Sequence, residues 1–307
     1  MGCEVSLGNG GSARGPVAKK PWTSGSDVNT LDPMHSVGRI LVTGATDGIG
    51  KQTALELARL GHTVLVHGRT AEKAAASVES LRGELPGGAF VPVHADLSSL
   101  RSIGALVQGL RGADEPLRAI VNNAGVFMNE RVLTEDGHEM TIGVNHLAPF
   151  ALTIGLLPLL GRDGESRVVN VSSIAHSRGR IPEDDMTYAN AFDGYGAYAA
   201  SKLINVLFTV ELARRLEGAG HRNVVTHALH PGVITTKLLA TGFGSTGASL
   251  QKGAETSVFV ATSATIAGQT GRYYSDSREA RPSEASRDAA LAQRLWAYSA
   301  AQTHLDL

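Results

Sequence analysis

Short runs of apolar residues alternate along this chain with longer stretches in which apolar positions recur every three or four residues. Arg39–Val42 is the first run, and a helical pattern follows from Lys51 to Leu60. His62–His67, Phe90–His94, Leu117–Val121, Arg167–Val171 and Val224–Leu229 repeat the strand pattern, and Gly271–Tyr274 gives a brief last strand. Helical patterns fill the intervals at Ala71–Leu85, Ser98–Leu110, His138–Leu160, Gly194–Leu216 and Gln251–Thr262. A final amphipathic helix is expected over Ser283–Thr303, with Leu291, Leu295 and Trp296 on one face and Pro282 marking its start. Strands alternating with helices predict an α/β fold, a single-domain, doubly wound parallel sheet with helices on both faces.

Two turns carry chemistry. Thr43-Gly44-Ala45-Thr46-Asp47-Gly48-Ile49-Gly50 stands between the first strand and the first helix. Glycines there let backbone N–H groups approach a pyrophosphate at a helix N-terminus, where a Cβ would block the approach or the dihedral angles. At the end of the second strand, where an acidic residue would bind the ribose 2′-hydroxyl of NAD, the chain reads Gly68-Arg69-Thr70. Arg69 suits a 2′-phosphate, so NADP(H) is expected over NAD(H). Asp96-Leu97 and Asn122-Asn123-Ala124-Gly125 fall at the carboxyl ends of the third and fourth strands, where such sheets bind ligands.

Composition narrows the class. The chain has 307 residues, 42% hydrophobic and 19% charged, and a formal net charge of −1. That is enough for a large core, and it leaves no basic footprint for nucleic acid. The single cysteine, Cys3, excludes an internal disulfide and fits a reducing compartment. Residues 1–37 are rich in Gly, Ser, Asn and Pro and read as a disordered extension before a domain over 38–307. Met34 is an alternative start, and Met1-Gly2-Cys3-Glu4-Val5-Ser6 fits a loose lipidation pattern. No apolar signal region is visible, and the longest apolar stretch, Leu147–Leu160, carries Pro149 and Pro158 and reads as a buried helix. The expectation is a cytoplasmic protein with no transmembrane segment.

Tyr198 and Lys202 lie four apart in a helical stretch, hence on one face a turn apart. A neighbouring ammonium favours the phenolate, so the pair predicts a tyrosine of lowered pKa able to exchange a proton with a carbonyl oxygen. Ser172-Ser173 ends the fifth strand and His230-Pro231-Gly232-Val233-Ile234-Thr235-Thr236 the sixth, on the same edge as the glycine turn. His146, His176 and His230 show no metal-ligand spacing and read as structural or substrate-adjacent, with no metal expected.

In order, T-G-A-T-D-G-I-G, A-D-L, N-N-A-G, V-N-H, V-N-V-S-S, Y-A-A-S-K and H-P-G-V-I-T-T resemble the short-chain dehydrogenase/reductase family over about residues 38–300. The wording V-N-H-L and S-S-I-A-H, with the long Ser-to-Tyr spacing, is similar to its retinol dehydrogenase and carbonyl reductase branch. The resemblance implies a Rossmann-like domain and an oxidoreductase. It makes Tyr198 the acid/base, gives Lys202 the nicotinamide ribose, puts Ser173 on the substrate oxygen, and has Asn145 hold a water in a proton relay to Lys202. It implies that Gly44, Asp47, Gly48, Ile49 and Gly50 line the pyrophosphate. Asp96, Leu97 and Asn122 would face the adenosine, with Ala124 and Gly125 beside them, and Pro231, Gly232, Ile234 and Thr236 the nicotinamide. It also implies a homodimer or homotetramer built on the helices bearing Asn145 and Tyr198.

The substrate expected is a small hydrophobic ketone, aldehyde or alcohol. Ile174–Ala197 forms an enlarged loop suited to wall its pocket, and Lys237–Lys252, with apolar anchors among glycines, is suited to a lid. Three other readings compete. A retinol dehydrogenase is one, and a catalytically silent NADP-binding regulator another, although all four catalytic positions are filled. A nucleotide-sugar epimerase or dehydratase shares Y-x-x-x-K but differs in the spacing of the first glycine turn.

Overall fold

A computed structural model describes residues 1–2, 37–244 and 246–307. The expected N-terminal extension and its lipidation pattern lie outside the described residues apart from Met1, Gly2 and Val37.

Arg39–Val42 forms β1 and leads through the glycine turn into α1 (Gly48–Arg59). Then come β2 (Thr63–Gly68), α2 (Ala71–Glu84), β3 (Phe90–His94), α3 (Leu100–Ala113) and β4 (Leu117–Asn122). The second half contains α4 (Met140–Ile142), α5 (Ala148–Leu156), β5 (Ser166–Val171), α6 (Gly194–Gly218), β6 (Val224–His230), α7 (Lys237–Phe243) and α8 (Leu250–Thr262). The strands β7 (Arg272–Ser275) and β8 (Arg278–Glu279) and the helix α9 (Ala289–Thr303) close the domain.

The sheet runs β3-β2-β1-β4-β5-β6-β7-β8 and is parallel except for β8, which returns antiparallel on β7. The strand order reverses between β1 and β4, and the crevice of such a sheet opens at that point, beyond the carboxyl ends of its strands. Central strands are apolar on both faces: Ile40, Leu41 and Val42, and Val64, Leu65 and Val66, have no exposed surface. Two cores result, one on each face, and helices cover both.

The structure departs from the sequence pattern in two helices. The continuous helix expected over 138–160 is interrupted by a π turn over Gly143–Leu147 before α5. Pro149 has no N–H for the carbonyl four residues back, that of Asn145, so the α-helical ladder breaks there. The segment 140–159 is long and apolar enough to cross a membrane, but 94% of its most apolar 18-residue window is buried in this domain. The last helix begins at Ala289 rather than Ser283, because the Asp288 carboxylate caps it by accepting from Leu291 N at 2.9 Å.

The resemblance places a partner subunit on the helices that bear Asn145 and Tyr198. In the structure α9 of the same chain packs there. Trp296 sets its ring 4.9 Å from Phe150 of α5 and 6.0 Å from Phe208 of α6, and no residue of α5 is exposed. α5 therefore offers no open face to a second copy, while α6 keeps exposed residues such as Val210.

Candidate active site

A cavity of about 800 Å³ runs along the carboxyl edge of the sheet. One end begins at the glycine turn. Gly44 and Gly48 have φ of +63° and +57°, which only glycine adopts without strain. At Gly50 a Cβ would overlap the Gly44 carbonyl oxygen and Asn123 Nδ2, so the turn closes on itself only without a side chain there. His67 fastens the turn to the sheet: its Nδ1 accepts from Gly44 N at 3.2 Å and its Nε2 faces the Ala95 carbonyl at 3.1 Å. The first bond requires a bare Nδ1 and the second a protonated Nε2, so one neutral tautomer satisfies both. Burial holds His67 down to about 4.

Asp47 caps α1, accepting from Gly48 N at 2.8 Å, and pairs with Lys237 of α7 at 2.5 Å. Its hydrogen bond to Lys237 holds its carboxyl below the usual carboxylate range. Arg69 and Lys73 line the cavity beyond the end of β2, with Asp96 and Leu97 beside them. Burial opposes charge on Asp96, but hydrogen bonds from Ser98 N and Oγ and the Arg69 cation outweigh it and lower its pKa. Lys73 was not singled out from the sequence, because exposed lysines near a helix start are common.

Ala124 and Gly125 line the middle of the cavity, but Asn122 does not. Its Nδ2 donates to Asn170 Oδ1 at 2.9 Å and Thr153 Oγ1 at 3.2 Å, so it ties β4 to β5 and α5. The adenosine role expected for Asn122 is therefore not its side chain's, and Asn123 is the asparagine that reaches the turn, donating to Thr43 O at 2.8 Å.

At the other end Ser173, Tyr198 and Lys202 converge. Asp193 caps α6 by accepting from Gly196 N at 2.9 Å and starts the helix that carries Tyr198 and Lys202 inward, both buried. Ser173 caps the short 3-10 turn Ile174–Arg178, its Oγ accepting from Ala175 N at 3.2 Å, and shares a hydrogen bond with the Tyr198 phenol. Lys202 Nζ donates to Val171 O at 2.9 Å and lies 5.6 Å from the centre of the Tyr198 ring. The expectation that the ammonium lowers the tyrosine pKa is corrected here. Burial raises Tyr198 above its ordinary value, partly offset by the Ser173 bond, and burial also pushes Lys202 down to about 8.

Asn145 lies behind this end and does not line the cavity. Its Oδ1 accepts from Val126 N at 2.7 Å, and its Nδ2 donates to Val126 O and Ser201 Oγ, each at 3.0 Å. The side chain is spent on bracing Val126. A Cβ at Gly125 would stand 3.3 Å from Asn145 Oδ1 and 3.4 Å from Lys202 Nζ, so glycine keeps this corner open.

Pro231, Gly232, Ile234 and Thr236 complete the rim below α7. Apolar side chains close the Ser173 end: Phe127, Tyr195 and Leu238 pack on Ala175, Tyr198 and Ala199. Phe127 lies in an irregular segment with no periodic signal and was missed in the sequence. The neck of the α7 strap is held at Thr235, whose Oγ1 donates to Gly247 O at 2.9 Å and accepts from Gly247 N at 2.8 Å. The enlarged loop contributes less wall than expected. Only Ile174, Ala175, Ser177, Arg178 and Tyr195 of it reach the cavity, while Ile181, Met186, Tyr188 and Phe192 pack into a core cluster and Glu183 pairs with Arg294 of α9. Among the described residues no cluster of three potential metal ligands occurs.

Residues 39–243 match the family described as short chain dehydrogenase. The chain belongs to that family. It falls in the retinol dehydrogenase-like branch, being 40% identical over 277 residues to retinol dehydrogenase 13 of Homo sapiens, across 85% of this chain and 83% of that one. Among solved structures, an uncharacterized protein from Mycobacterium Paratuberculosis is 33% identical with a TM-score of 0.74, covering 87% of this chain and 94% of that one. The landomycin C-6 ketoreductase LanV, with bound NADP and rabelomycin, is 27% identical with a TM-score of 0.59, covering 78% and 94%. A short-chain dehydrogenase of this fold is an oxidoreductase that binds a nicotinamide cofactor. The residues present suit that group, since the positive-φ glycines and the bare Gly50 shape the turn against the α1 N-terminus.

Proposed function

We propose that this short-chain dehydrogenase interconverts a hydrophobic ketone or aldehyde and its alcohol with NADP(H), using Tyr198 as proton donor and acceptor. The observation that carries the reading is the hydrogen bond between Ser173 and Tyr198 at the apolar end of the cavity, with the Lys202 ammonium behind the ring. Two hydroxyls that reach each other can also reach one shared substrate oxygen.

When bound, the nicotinamide supplies or accepts the hydride. In reduction, Tyr198 gives its proton to the oxygen as charge develops there, and the Ser173 hydroxyl donates to the same atom. Burial keeps Tyr198 protonated until that charge appears. Lys202 stands close enough to favour the phenolate left behind, while its bond to Val171 O fixes its position. Asn145 holds the Val126 backbone beside Lys202, and its carbonyl, which Pro149 cannot occupy, is the atom that would hold a relay water. Gly44, Gly48 and Ile49 would border the pyrophosphate, Asp96 and Leu97 the adenosine, and Ile234 and Thr236 the nicotinamide; all of them line the cavity. Arg69 and Lys73, with no carboxylate at the end of β2, support a 2′-phosphate. Similarity to a retinol dehydrogenase and the rings of Phe127 and Tyr195 support an apolar substrate.

The test is turnover of NADPH with a panel of hydrophobic aldehydes and ketones, retinal included. Tyr198→Phe is expected to lose about 100- to 10,000-fold in kcat while still binding nucleotide. Turnover at the wild-type rate would remove Tyr198 from the mechanism.

A further inference from the structure

We propose that His176 is a positioning residue for the Ser173 hydroxyl, acting through a single peptide group that two histidines grip from opposite ends. The inference rests on the role proposed for Ser173. The peptide is the one joining Ser173 to Ile174. Its carbonyl oxygen lies 2.6 Å from His176 Nδ1 and also accepts from the His176 backbone N at 3.1 Å, and its N–H donates to His230 Nδ1 at 3.2 Å.

The protonation of His176 follows from its other nitrogen. Nε2 lies 3.1 Å from the backbone N of Ser283, which is only a donor, so Nε2 accepts. A neutral ring then carries its one proton on Nδ1, aimed at the Ser173 carbonyl. The ring is 2% exposed, and its centre lies 5.0 Å from that of Tyr273 on β7, so it has little room to turn. Burial lowers its pKa and favours this neutral form. His230, on the far side, presents a bare Nδ1 to Ile174 N.

With both ends of that peptide held, the backbone dihedral that leads out of Ser173 is fixed. The serine side chain is fixed in turn, because its Oγ accepts from Ala175 N and bonds to Tyr198. His176 itself does not line the cavity. Its influence on the reacting oxygen therefore passes through Ser173, and it links that serine to Ser283, on the segment that leads into α9.

The experiment compares His176→Phe, His176→Asn and His176→Gln, each alone and in a Ser173→Ala background, by kcat and KM with a hydrophobic ketone and NADPH. Nucleotide affinity and the thermal midpoint are measured alongside. His176→Phe keeps a ring but loses both bonds, and is expected to lower kcat about 10- to 100-fold, the scale on which small misplacements of reacting groups act. Asparagine places an amide nitrogen near the Nδ1 position and should recover most of that loss. Glutamine places its oxygen near Nε2 and should not. In the Ser173→Ala background, His176→Phe should cost less than about twofold more, because its effect has no serine left to act on.

Equal rates for the asparagine and glutamine variants overturn the proposal, as does a His176→Phe loss that is undiminished without the serine, which would mark a general defect of folding. If His176→Phe does not fold, the asparagine and glutamine pair decides alone. A Ser173→Ala enzyme at the wild-type rate overturns both this inference and the role proposed for Ser173. A crippled Ser173→Ala beside a fully active His176→Phe overturns this inference only.

Discussion

Lys202 Nζ donates to the carbonyl of Val171 at 2.9 Å, so the ammonium is moored to the end of β5 as well as to its own helix. Burial lowers its pKa to about 8, against an ordinary value of 10.5. The cation is therefore present below about pH 8 and lost above it. In the folded state it costs stability: the cost is absent above pH 10.5, grows as pH falls, and is complete below about 8. For carbonyl reduction, kcat/KM is expected to fall as pH rises through about 8, because the free enzyme's groups set that profile. A flat profile to pH 10 would count against a role for the lysine charge.

Acid should unfold the domain well above the carboxylate range. His67, His227 and His230 are pushed down to about 4 and His146 to about 3, each chiefly by burial. An unfolded histidine takes its proton near pH 6.5, while these do not until about 4 or lower. Stability is thus complete above pH 6.5 and declines as pH falls towards 4, by about 3 kcal/mol for His67 alone. Urea midpoints at pH 7.5, 5.5 and 4.5 should fall in that order, and equal midpoints would contradict it.

Nucleotide choice is expected to turn on the two cations beyond β2. Arg69→Asp should weaken NADPH about 10- to 100-fold, the loss of one or two charge-assisted hydrogen bonds. Lys73→Ala should act in the same direction and by less. NADH affinity should hold or improve in both. Titration of the two nucleotides by fluorescence is the check, and equal losses for NADPH and NADH would show that Arg69 does not set the choice.

The three glycines of the first turn are not equivalent. Alanine at Gly48 meets nothing nearer than Thr236 Cγ2 at 3.9 Å, so only its φ of +57° opposes the change, at about 1–2 kcal/mol. Alanine at Gly50 meets backbone and the Asn123 amide, neither of which is the free end of a flexible chain. Gly50→Ala is expected to destabilise more than Gly48→Ala, by about 3 kcal/mol or more, and to abolish nucleotide binding. Denaturant midpoints of the two variants decide the order.

The residues most legible in the sequence were those whose backbone has few alternatives. Strand, glycines and helix in order gave the first turn, and Ser173, Tyr198 and Lys202 fell on elements whose ends meet at one edge. Less legible were choices that depend on which way a side chain points. Asn122 and Asn123 are neighbours at the end of a strand buried on both faces, so no polar alternation showed that only the second reaches the turn. Phe127 belongs to an irregular segment without period. The spacing of Tyr198 and Lys202 was readable, but the depth of their burial was not, and burial decides the direction of both shifts. Pro149 stood in plain view within a stretch expected to be one continuous helix, and the π turn before it shows only in the structure.

The pair of Asp47 and Lys237 stitches the glycine turn to the strap at the rim of the groove, with both side chains largely in solvent. A dinucleotide leaving over that rim must first pull apart a couple of opposite charges that dissolved ions weaken. The grip on Tyr198 and Ser173 is shielded from those ions by packing. Added salt should then quicken nucleotide exchange while the proton-handling groups stay as they were, so the doorway and the workshop of this enzyme answer to different solvents.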